Sequence, residues 1–144
     1  MAGTKTFFII KPGAVSHEYI GPILAKIATA GFHIAALKLI MLDRYHAEHF
    51  YSVHHDKPFF ESLVKFMSSG PVVVGILEKE NAVADYRKLM GATDPAKAEE
   101  GTIRKLFAEN IERNAVHGSD SDENADIECD FFFAKGERFS KFDN

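Results

Sequence analysis

Short apolar runs alternate with stretches of helical period along this chain, and no other feature narrows its folding options so far. Residues 6–10 (Thr-Phe-Phe-Ile-Ile) read as a strand closed by Pro12, which breaks pairing and marks the strand's exit. Residues 33–42 form a longer run that opens after Gly31, and residues 71–77 are rich in β-branched side chains behind Ser68-Ser69-Gly70. Residues 114–117 (Asn-Ala-Val-His) are a shorter fourth candidate. Between these runs, Ile20, Ile23, Leu24 and Ile27 recur at three- and four-residue steps, with Gly31 as a stop. Residues 45–51 and 59–67 read as two short helices separated by Lys57-Pro58, and another helix covers 82–90. Ser121 is a helix cap with Asp122 and Glu123 in the first turn, opening a helix through Ile127, Glu128 and Phe131. Residues 91–113 form a long irregular stretch that ends in a short amphipathic piece, and loops this long in a small domain are usually functional or mobile.

Helices on one face of a sheet, with the strands split around them, suggest a ferredoxin-like α+β sandwich. A parallel, doubly wound sheet satisfies the same alternation, and periodicity does not choose between the two. The 144 residues are the size of a single domain, spanning 1–144, with no stretch that reads as a linker, internal repeat or low-complexity segment.

Composition removes several function classes. Hydrophobic residues at 46% and charged residues at 26% suit a soluble globule rather than a disordered chain. The longest apolar runs are interrupted well before 18 positions and the first residues lack a signal-peptide core, so no membrane span or secretory leader is expected. One cysteine, Cys129, excludes an intrachain disulfide and fits a reducing, cytoplasmic setting. A net charge of −4 disfavours nucleic acid or an anionic membrane as the main partner, while leaving room for a locally basic pocket.

The sharpest local feature is Asn114-Ala115-Val116-His117-Gly118-Ser119-Asp120-Ser121. A histidine at the end of an apolar run, followed by glycine and a helix cap, sits where backbone can approach an anion closely. A partly buried turn histidine satisfied by a neighbour is the plainer reading of the same residues. Imidazole can act as a nucleophile near pH 7 if its second nitrogen is held as N–H by an acceptor. Glu128 could be that acceptor, directly or through Ser119, if its helix folds back over the strand. Lys11, Arg87 and Arg104, with the Thr93 hydroxyl, are the kit needed to hold a polyphosphate and neutralise its equatorial oxygens, although each alone could be a solvated surface group. No Gly-x-x-x-x-Gly-Lys-Ser/Thr signature occurs, so phosphate binding would come from side chains. Among the seven histidines, His46 and His49 are three apart and His54-His55 are adjacent, spacings that do not build a zinc site. Cys129 reads as a buried small hydrophobe, and Phe131-Phe132-Phe133 as core or subunit interface.

With these residues in view, the sequence resembles the nucleoside diphosphate kinase family. The segment 114–121 is similar to that family's active-site signature, and four further segments follow in the family's order: Ile-Ile-Lys-Pro at 9–12, His-x-x-Lys-Pro-Phe-Phe at 54–60, Ser-Gly-Pro-Val-Val at 69–73 and Gly-Ala-Thr-Asp-Pro-Ala at 91–96. Gly-Thr-Ile-Arg at 101–104 completes the set, and the likeness spans roughly residues 5 to 133. The resemblance implies a ferredoxin-like, four-stranded antiparallel sheet with helices packed on it. It also implies a ping-pong exchange in which His117 takes the γ-phosphoryl group from a nucleoside triphosphate and passes it to a diphosphate. By the same likeness Glu128 and Ser119 orient His117, and Tyr51 lies beside it. Lys11 and Asn114 contact the sugar; His54, Arg87, Thr93 and Arg104 line the phosphates; Phe59 stacks on the base, with Leu63 and Ile111 closing the slot. Stacking suits broad specificity, because every base has a π-face. Mg2+ would arrive on the nucleotide phosphates, with no direct protein ligand and Asp120 holding it through water. Two departures from the family pattern stand out: Gly13 after Lys-Pro, where an acidic or amide residue is usual, and Lys105-Leu106-Phe107 after Arg104. The polar tail after Phe133 resembles shorter bacterial members, and the family implies a homo-oligomer, tetramer or hexamer. A nucleotide-binding regulatory module without turnover is the rival of a different class, and the retained catalytic residue types disfavour it.

Overall fold

The computed structural model describes residues 3–142. Four strands, β1 (Lys5–Ile10), β2 (His33–Met41), β3 (Pro71–Glu78) and β4 (Val116–Gly118), form a sheet in the order β2-β3-β1-β4. Every neighbouring pair is antiparallel, which removes the doubly wound alternative. The topology follows from α2 (Ile20–Thr29), which carries the chain from β1 past one strand position to β2 and leaves the slot that β3 fills.

The expectation of helices on one face is corrected. Strand β1 presents apolar residues to both sides, and both sides are covered. Phe7 and Ile9 join a cluster with Ala47, Val64, Met67, Cys129 and Phe133. These come from α3 (Arg44–Phe50), α4 (Phe60–Met67), α7 (Asp122–Phe132) and the residue that follows it. Phe8 and Ile10 join Ala14, Ile23, Ile27, Tyr86, Met90 and Ile103. Those belong to α1 (Pro12–Ser16), α2, α5 (Ala82–Met90) and α6 (Ile103–Phe107). A strand apolar at successive positions needs a layer on each face, and each fully buried Phe or Ile contributes roughly 1.5–3 kcal/mol.

Three local expectations also change. Pro12 does end β1, but it opens α1 as its first residue, where a missing N–H costs nothing. The stretch 91–113 is not irregular throughout: it holds a 3-10 turn, Pro95–Lys97, and α6, whose cap Thr102 accepts from the Lys105 N–H at 3.3 Å. The fourth strand begins at Val116 rather than residue 114. The Ser121 cap is where the sequence places it, with its hydroxyl accepting from the Asn124 N–H at 3.1 Å. Glycine is required at Gly75 and Gly118. A Cβ at Gly75 would lie 2.3 Å from a Phe8 ring carbon and 2.8 Å from the Ala36 carbonyl. One at Gly118 would lie 2.7 Å from the Tyr86 ring.

Candidate active site

Strand β4 pairs with β1 in the register Ile9–His117, so His117 projects to the same face as Phe7 and Ile9, toward α3 and α7. Helix α7 folds back over that face. Glu128 Oε1 lies 3.0 Å from His117 Nε2 and accepts a hydrogen bond from Ser119 Oγ at 2.7 Å. A carboxylate oxygen can only accept, so Nε2 carries the proton and Nδ1 keeps its lone pair. Nδ1 makes no hydrogen bond among the described residues. Ser119 is itself fixed, because its Oγ accepts from the Phe7 N–H at 3.2 Å.

The imidazole is half-buried between aromatic rings. Phe50 lies 5.6 Å from it at 74° and Phe7 lies 6.0 Å away at 60°, and Phe132 stacks on Phe7 at 5.2 Å. Tyr51 is buried beside Phe50, and its hydroxyl has no hydrogen-bond partner among the described residues. Burial raises the Tyr51 phenol above its ordinary value, and the Glu128 charge adds to that, so the hydroxyl stays protonated near the carboxylate.

A second group of residues meets where β1 ends and β4 begins. Lys11, only 6% exposed, donates from Nζ to Asn114 Oδ1 at 2.8 Å. Burial lowers its amine to about 7, with the Arg104 charge acting in the same sense. Arg104 is buried and donates to three carbonyls: Nε to Asn114 at 3.2 Å, Nη1 to Gly91 at 3.2 Å and Nη2 to Val116 at 2.9 Å. Burial holds the guanidinium below its usual range, and the nearby Arg87 charge does so too. The Arg104 charge thus acts on Lys11 and the Arg87 charge on Arg104, and among the described residues the only side-chain acceptor that Lys11 Nζ meets is a neutral amide. Such a cluster favours a polyanion.

The remaining predicted residues are more loosely gathered. Phe59 is 47% exposed and, among the described residues, meets only His54 ring to ring, at 5.5 Å. Leu63 packs partly against the core under α4. Ile111, 55% exposed, lines an open cleft of about 600 Å3 with Asp94–Ala96 and 108–112, a set that includes neither Phe59 nor Leu63. Thr93 and Arg87 are exposed, on the loop and on α5. Asp120 is exposed and its Oδ1 accepts from Asn124 Nδ2 at 2.6 Å. Gly13, within α1, has room for a side chain, since a Cβ there would meet only Phe66 at 3.5 Å, so its departure from the family pattern disturbs nothing around Lys11. Sequence reasoning missed Phe7 and Phe50 as the rings beside His117. The signal for Phe7 was the strand register, which no local pattern reveals.

A four-stranded antiparallel α+β sandwich that leaves one nitrogen of an oriented histidine without a hydrogen bond among the described residues and gathers buried cations nearby has the parts of a phosphoryl-transfer enzyme. Residues 4–138 match a sequence model of the family described as Nucleoside diphosphate kinase. The chain is 59% identical over 133 residues to the nucleoside diphosphate kinase of Rhizorhabdus wittichii, covering 92% of this chain and 95% of that one. It is 55% identical to nucleoside diphosphate kinase 1 of Protochlamydia amoebophila, covering 95% and 97%. Among solved structures, the Aquifex aeolicus nucleoside diphosphate kinase superposes with a TM-score of 0.92 at 40% identity, covering 94% of this chain and 98% of that one. The Halobacterium salinarum enzyme, solved in complex with CDP, gives 0.90 at 36%, covering 97% and 93%. The chain belongs to the nucleoside diphosphate kinase family, and it is an enzyme that transfers phosphoryl groups between nucleotides.

Proposed function

We propose that the transfer is a ping-pong exchange through a phosphohistidine at His117. The hydrogen bond from Nε2 to Glu128 carries this reading, because it leaves Nδ1 as the unprotonated, outward nitrogen. Nδ1 attacks the γ-phosphorus of a nucleoside triphosphate, the P–O bond to the departing diphosphate breaks, and a P–N bond forms. The ring gains positive charge as it does so, and Glu128 offsets that charge through the Nε2–H bond while Ser119 fixes the carboxylate. A second diphosphate then reverses the step.

Arg104, Arg87, Thr93 and His54 hold the phosphates, and Lys11 and Asn114 hold the sugar. Burial lowers the Lys11 amine to about 7, and a bound polyanion nearby favours its charged form, so the group gains proton occupancy when substrate is present. Phe59, exposed with one free face, stacks on the base, with Leu63 and Ile111 on either side of the slot. That arrangement gives broad base and sugar tolerance.

Mg2+ fits this site as a passenger on the nucleotide. Among the described residues no group of three or more His, Cys, Asp or Glu could hold a metal. The exposed Asp120 carboxylate would hold the ion through water. When bound, the ion neutralises charge on the phosphate oxygens. Self-assembly into a tetramer or hexamer is part of the same reading, and Leu37, Leu39 and Met41, exposed on edge strand β2, are the face we assign to it. The single buried cysteine suits a cytoplasmic enzyme.

The test is His117→Ala. Exchange between ATP and several diphosphates is expected to vanish while nucleotide binding persists, and wild-type protein is expected to carry acid-labile phosphate. Turnover by the variant above the host-enzyme background would overturn the assignment.

A further inference from the structure

The residue two before His117 is strained. Ala115 has φ +72°, and the Val116 N–H donates to the Asn114 carbonyl at 2.9 Å, closing a three-residue γ-turn around it. A side chain at positive φ in such a turn is a rare and costly conformation that persists only when the surroundings hold it. Strand β4 cannot hold it alone, because it is three residues long and sits at the sheet's edge.

The holding groups come from elsewhere. Arg104 Nε donates to the Asn114 carbonyl and Nη2 to the Val116 carbonyl, the two that flank the strained residue. Ala115's own carbonyl accepts from the Lys11 N–H at 2.8 Å. The guanidinium is anchored by its third bond, from Nη1 to Gly91, the residue that ends α5. Three of the five N–H groups of Arg104 are therefore spent on carbonyls, and the remaining two donate to no group among the described residues.

We propose that Arg104 is a positioning residue for His117: it braces the strained Asn114-Ala115-Val116 turn and so sets where the imidazole leaves the sheet, in addition to any contact it makes with phosphate. The planar fork suits this double use, because the bonds that hold the turn also fix the direction of the free N–H groups. The inference rests on His117 being the phosphoryl acceptor, and its test separates the two.

Phosphoramidate is the probe, because it phosphorylates a free imidazole nitrogen without a polyphosphate tail or a base. Its P–N bond breaks, ammonia leaves, and the new P–N bond forms at Nδ1. Arg104→Met is expected to slow His117 labelling by roughly tenfold, the scale of one strained backbone position. Ala115→Gly makes the turn's φ free of cost, so adding it to Arg104→Met is expected to recover most of that loss, with Ala115→Gly alone within about threefold of wild type. A loss that came only from the missing charge would not be recovered by glycine. Equal labelling of Arg104→Met and wild type, or no recovery in the double variant, overturns the proposal while leaving His117 as acceptor. Failure of wild-type protein to label at His117 overturns the acceptor reading itself. Should Arg104→Met not fold alone, the double variant is expected to, and a double variant no more soluble than the single also overturns it.

Discussion

Glu128 Oε1 and His117 Nε2 lie 3.0 Å apart, and the serine two residues past the histidine donates to the same carboxylate oxygen at 2.7 Å. One oxygen therefore decides which imidazole nitrogen is free. Glu128→Gln keeps the shape but can offer either an acceptor or a donor to Nε2, so the tautomer is no longer fixed. Phosphohistidine formation in rapid-quench experiments is expected to fall on the order of 10²-fold, the lower range for a misplaced general acid–base partner. Ser119→Ala removes one hydrogen bond to a charged group, and a loss of comparable size, about 1.5–3 kcal/mol, is expected in the same assay. Unchanged rates in both variants would detach the carboxylate from the chemistry.

Lys11 titrates with folding and with binding. Its amine is lowered to about 7 in the folded protein, first by burial and then by Arg104. Unfolded lysine titrates at about 10.4. Between these values the unfolded chain binds more protons, so this group's burial penalty is complete below about pH 7 and relieved as pH rises toward about 10. The urea midpoint of nucleotide-free protein is expected to climb across that window relative to Lys11→Met. Nucleotide binding at pH 8 is expected to take up a proton, measured by calorimetry in buffers of different ionisation enthalpy, and Lys11→Met is expected to abolish the uptake.

Gly118 is a packing requirement next to His117. A methyl there would sit 2.7 and 2.8 Å from two Tyr86 ring carbons and 3.0 Å from Met90 Cε, and Tyr86 is fully buried with nowhere to move. Gly118→Ala is expected to destabilise by about 1–3 kcal/mol in urea unfolding, the usual range for overpacking. It should also cost activity in folded protein, since the displaced strand carries His117.

Phe59 is exposed and, among the described residues, has a ring contact with His54 alone. Phe59→Ala is expected to weaken binding of all nucleoside diphosphates alike by ~1–3 kcal/mol, with little change in the unfolding midpoint. A loss confined to one base in equilibrium titrations would mean that the slot reads base edges.

What the chain determines locally, its sequence shows. The main strand and helix periods and the Ser121 cap need only neighbours along the chain and are legible as residue patterns, whereas the one-turn helix α1 leaves no period to read. The segment around His117 and the basic and hydroxyl residue types at Lys11, Arg87, Thr93 and Arg104 are legible for the same reason. Tertiary structure decided what depends on residues far apart. Antiparallel pairing of every strand comes from where β3 inserts, and helices cover both faces because β1 is apolar at successive positions. The Phe7 and Phe50 rings reach His117 across separations of 110 and 67 residues, and the Glu128 oxygen reaches Nε2 only because α7 turns back over the sheet. The depressed Lys11 amine and the braced turn at Ala115 have the same origin. Burial, charge proximity and a positive φ are properties of packed neighbours, and a one-dimensional pattern carries no record of them.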